Sequence, residues 1–133
     1  GYDKQGQCPM LKDNNCSIYE NRPLICRKFD CRIFTAIGVE PDKRYCKEIH
    51  NQVNKWQFTY ENQNDKDLHN AVLKTTEFIL HNASAFPNGN IPADTSQIAL
   101  IALKSFSVFL QKGQNRSTKS IIDEIVTATS KFK

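Results

Sequence analysis

The chain has 133 residues, 39% apolar and 10% aromatic, which is enough for one ordinary globular domain with a buried core. Its net charge of +4 is weakly basic and spread along the chain, without the basic stripe and interleaved aromatics of a nucleic-acid binder. No apolar run approaches the roughly 20 residues of a membrane span, and the first residues have neither the basic nor the apolar region of a secretory signal. A cytoplasmic protein is the resulting expectation, with neither membrane nor nucleic acid as partner.

Up to about residue 45 the sequence is irregular, with Pro9, Pro23, Pro41 and nearly all the cysteines. Ser17-Ile-Tyr-Glu20 has capping-box spacing and predicts one helical turn. Pro23 ends that turn and is suited to begin the next, from Pro23 to Phe29. Gly38 to Lys43 reads as a loop. Beyond it Cys46, Ile49, Val53, Trp56 and Tyr60 recur at three- and four-residue steps and predict a helix. Asn62 to Asp67 is polar and reads as a turn. Leu68, Val72, Phe78, Ile79 and Phe86 mark a second helix, closed by Pro87-Asn-Gly89. Asp94 or Thr95 caps a third, apolar almost all round, that stops at Gly113. Ser117 or Thr118 opens a fourth, carrying Ile121, Ile122, Ile125, Val126 and Phe132. The expected fold is mostly α: an irregular cysteine-rich module, residues 1–45, packed on a bundle of about four helices, residues 46–133.

All five cysteines lie within the first 46 residues. That clustering suggests one local site, and an odd number fits a closed disulfide framework poorly. Between Cys8, Cys16, Cys26 and Cys31 the gaps are seven, nine and four residues. Four thiolates satisfy either tetrahedral Zn²⁺ or the four irons of a cubane cluster. Structural zinc usually takes two close pairs of ligands; only Cys26 and Cys31 approach such a pair, so the spacing tilts toward iron–sulfur. Disulfides in an oxidising compartment and inert buried thiols remain the alternatives. Four thiolates around a divalent core leave a net charge of about −2 that calls for nearby cations. Arg22, Arg27, Lys28 and Arg32 stand among the proposed ligands, and Tyr19 is expected to pack over the site. Cys46 sits on an apolar stripe and reads either as a core cysteine or as a further ligand, with His50 one turn on. His69 and His81 have no ligand partners at metal spacing and read as structural or surface residues.

Cys8-Pro-Met-Leu, Cys16-Ser-Ile-Tyr-Glu-Asn-Arg-Pro and Cys26-Arg-Lys-Phe-Asp-Cys31 resemble the signature of the YkgJ family of bacterial cysteine-cluster proteins. The resemblance covers residues 8 to 31, or to Cys46 if that cysteine belongs, and implies a zinc- or iron-chelating module. The family pattern also has a C-x-x-C-C-type cluster ahead of the segment that begins here at Cys8, and no cysteine stands there in this sequence. Some proteins with the signature are similar to flagellin lysine-N-methylase, which implies a protein-modifying enzyme as a second function. The first is metal binding without independent catalysis, with a protein as partner. A secreted disulfide protein is the third.

Overall fold

The computed structural model describes residues 10–13, 15–24, 30–43, 45, 47–87, 91–110 and 115–130, with the Glu48 side chain excepted. The fold is mostly helical. Its described α-helices are α1 (Arg32–Ile37), α2 (Lys47–Val53), α3 (Gln63–His81), α4 (Thr95–Ser105) and α5 (Thr118–Ser130). Short 3-10 turns lie at Tyr19–Asn21, Ala83–Ala85 and Phe106–Phe109. Among the described residues no helix is long and apolar enough to cross a membrane.

Near the start, β1 (Leu11–Lys12) and β2 (Asn15–Cys16) pair antiparallel, with Leu11 opposite Cys16. Asp13, at φ 47°, takes the left-handed conformation favoured in two-residue hairpin loops. Ser17 then donates both its backbone N–H and its hydroxyl to the Met10 carbonyl, each at 2.8 Å. The expected capping box is therefore absent, because that hydroxyl closes the hairpin instead of capping the Tyr19–Asn21 turn. The expected helix from Pro23 to Phe29 lies mostly outside the described residues.

α4 is the central element and touches α1, α3 and α5. Ala99 and Ala102, both fully buried and one turn apart, have side chains small enough to allow that crowding. α3 buries Ala71, Val72, Thr75, Thr76 and Ile79, the one-sided pattern of an amphipathic helix. The two buried threonine hydroxyls donate to the carbonyls of Ala71 and Val72, so neither is left unsatisfied. Ile37 of α1 joins Val72, Ile79, Phe86, Ile98, Val108, Ile122 and Ile125 in one core. α5 adds Ile122 and Ile125, and Arg116 ties its start to the preceding turn. That guanidinium donates to the Val108 carbonyl at 2.6 Å and pairs with Glu124 at 2.9 Å.

Several elements differ from the sequence expectation: α3 ends at His81 rather than near Phe86, and α4 at Ser105 rather than at Gly113. Among the described residues of the Cys46–Tyr60 stripe the helix covers Lys47–Val53, and Trp56 to Tyr60 runs as irregular chain. Asn62 does not sit in a turn but caps α3, its side chain accepting from Asp65 N–H at 2.9 Å. α4 is not buried all round, since Leu100 and Leu103 are exposed. The expected Asp94 cap is present, accepting from Ser96 N–H at 2.8 Å. Asp42, in the expected loop, also binds this helix start, accepting from the N–H and hydroxyl of Thr95 at 3.1 and 2.7 Å.

Gly38 closes α1 in the left-handed region, at φ 69°, with its N–H returned to the carbonyls of Phe34 and Thr35. A Cβ at this position would stand 2.9 Å from Leu73 Cδ2. Gly38→Ala is therefore expected to destabilise the fold by about 1–2 kcal/mol from the backbone alone, read from its urea midpoint. An unchanged midpoint would show that this turn does not need its left-handed residue.

Candidate metal centre

Of the five cysteines, Cys16 and Cys31 lie among the described residues, and both are free, half-buried thiols. Cys8, Cys26 and Cys46 lie outside them, as does Arg27. No group of three or more His, Cys, Asp or Glu side chains comes together at metal-binding distance among the described residues. His50 meets Glu40 instead, Nδ1 to Oε2 at 3.7 Å.

Cys31 stands at the first turn of α1, immediately ahead of Arg32, and its carbonyl accepts the Phe34 N–H. Asp30 organises this start. Its carboxylate accepts the Arg32 backbone N–H at 3.0 Å and holds the Arg32 guanidinium at 2.5–2.9 Å. The Arg32 hydrogen bonds therefore hold the Asp30 carboxyl below its ordinary pKa, against some desolvation, with the Arg22 charge adding to the lowering. Arg32 is in turn held above its ordinary value, first by its bond to Asp30 and in smaller measure by the Tyr19 and Cys31 groups. Just after the Tyr19–Asn21 turn, the Arg22 guanidinium lies 3.9 Å from the centre of the Tyr19 ring, and its Nε–H donates to the Tyr19 carbonyl at 2.9 Å. Tyr19 itself is exposed.

The Cys31 sulfur receives the indole N–H of Trp56, Nε1 to Sγ at 3.4 Å. Burial pushes the Cys31 thiol pKa up; the Trp56 hydrogen bond opposes this, Asp30 adds to it, and Arg32 opposes it weakly. A thiol so placed keeps its proton at neutral pH until a cation draws it off. The donor chemistry fits a soft metal: reduced sulfur, partly desolvated, with an N–H already aimed at it. Arg32 is committed to Asp30, so it contributes less free charge toward sulfur than its position in the sequence suggests.

Sequence reasoning missed Trp56, which it placed on an apolar helical stripe. The available signal was the polar setting Asn54-Lys55-Trp56-Gln57, in which a half-buried indole still needs an acceptor for its N–H.

Searches of curated proteins and of solved structures each find no match. A family model does match, over residues 2–64, the stretch that contains all five cysteines. Over that stretch the chain is similar to the cysteine-cluster family described as "CxxCxxCC: Putative zinc- or iron-chelating domain".

Proposed function

We propose that this chain is a metal-binding protein that holds an iron–sulfur cluster, or failing that Zn²⁺, through Cys8, Cys16, Cys26 and Cys31, with Cys46 as a further ligand. The observation that carries the reading is the zinc- or iron-chelating family match over the segment that holds all five cysteines. The unequal spacing favours the cluster, which can be gripped from several directions. Arg22 and Arg27 supply positive charge, and Tyr19 flanks the site through its stacking with Arg22. The setting is the cytoplasm, where thiols stay reduced.

The role is that of a module that works with a protein partner. Leu100 and Leu103, one turn apart and exposed on α4, offer an apolar surface for such a partner. Two clefts open on the described surface, one beside Ser120, Asp123 and Glu124 and the other beside Asp42, Pro92 and Gln97. Neither is lined by Cys16 or Cys31; the methylase-like enzyme stands as the second reading.

Anaerobic purification followed by absorbance, metal and acid-labile sulfide analysis tests the choice of metal. Brown protein with iron and sulfide is expected. Colourless protein with about one zinc per chain replaces the cluster by the second metal, and metal-free protein with reduced thiols overturns both.

A further inference from the structure

Trp56, Phe58 and Tyr60 alternate along the irregular stretch that follows α2; Trp56 meets Cys31, and Phe58 and Tyr60 both meet His69. Trp56 donates to Cys31 Sγ at 3.4 Å. The Phe58 ring packs on the His69 ring, with centroids 4.7 Å apart. The Tyr60 hydroxyl meets His69 Nδ1 at 2.5 Å. His69 Nε2 lies 3.0 Å from the Ala36 carbonyl, which can only accept, so Nε2 carries a proton. In the neutral ring Nδ1 then accepts from Tyr60. One further bond, from the Thr35 hydroxyl to the Val53 carbonyl at 3.0 Å, ties α1 to the end of α2 just ahead of this stretch. The aromatic strap is thus fastened to the far end of α1 by contacts that do not involve sulfur. Those contacts set the place of the Trp56 N–H independently of Cys31.

We propose that Trp56 is the positioning residue of the thiolate centre, donating its indole N–H to the metal-bound sulfur of Cys31. This rests on the thiolate-metal reading above. The indole is a donor only and cannot act as a ligand, so its contribution is to orient the sulfur and spread its charge. A hydrogen bond to an anionic acceptor is shorter and stronger than one to a neutral group, so this bond tightens when the thiol becomes a thiolate. The strap also connects the centre to the helical core through His69 on α3.

Because the chain has a single tryptophan, its indole N–H gives one assignable resonance in ¹⁵N-labelled protein. Titration of the reduced, metal-free chain with Zn²⁺ is expected to move that resonance downfield and slow its exchange with solvent, in step with zinc uptake measured by native mass. Zinc uptake with an unmoved indole resonance overturns the role of Trp56 and leaves the thiolate reading standing. No zinc uptake by the reduced chain overturns the thiolate reading itself. Trp56→Phe, which keeps the ring and loses the donor, is expected to bind zinc about 10- to 100-fold more weakly. With Co²⁺ in place of zinc, its sulfur-to-metal charge-transfer band is expected to move to longer wavelength, a change that loosened packing alone does not produce. Wild-type affinity and an unshifted band in this variant also count against the proposal.

Discussion

Replacing Cys31 by serine is expected to weaken metal binding by more than about 100-fold, beyond the ~10–100-fold typical of losing a residue that merely supports a ligand. Serine keeps an oxygen that can accept the Trp56 N–H but offers a soft metal a poor donor. The helical core does not depend on the sulfur. Stability of the metal-free chain in chelator should therefore change by less than about 1 kcal/mol in urea, near the net worth of one hydrogen bond. The pairing of large metal loss with small stability loss is what distinguishes a ligand from a core thiol. A Cys31→Ser chain that loads metal as wild type does would remove Cys31 from the ligand set.

The largest effect on folding is expected at Phe34. This side chain is fully buried on α1, edge-on to the Tyr45 ring at a centroid distance of 5.4 Å. Truncation to alanine should cost about 3–5 kcal/mol, the usual range for a buried phenylalanine. A domain of this kind has about 5–15 kcal/mol in total, so the variant should stand near the edge of stability. Because α1 begins at the proposed ligand, metal should act against that loss. Free metal at 100 times its dissociation constant adds about 2.7 kcal/mol if it binds only the folded chain. Urea midpoints with and without metal measure both quantities. A Phe34→Ala chain as stable as wild type would mean that Phe34 does not anchor α1.

Helix positions in the second half were readable because their burial follows the helical period. Val72, Thr75, Thr76 and Ile79 share one face of α3, while Ile122 and Ile125 share one of α5. Asp94 was legible as a cap because a short acceptor side chain ahead of an apolar run has little other use. The end of α2 was not. Trp56 and Tyr60 continue the correct spacing, yet their partners are Cys31 and His69, contacts that no local period encodes. Ser17 shows the same limit on a smaller scale, since a serine that can cap a turn can equally close a hairpin on Met10. At the site, the thiols were visible because few other functions gather five cysteines in 46 residues. Asp30 was passed over because its effect is exerted through Arg32, whose charge it takes up.

The N-terminal cysteines are proposed to act as thiolates that hold a metal. Native mass spectrometry of the anaerobically purified chain, followed by the denatured mass of the same sample, tests it directly. A native mass raised by one metal or cluster is expected, with a denatured mass that shows every cysteine reduced. A denatured mass lower by two hydrogens per bridge, with nothing bound in the native state, would contradict it and make the cysteines a disulfide framework.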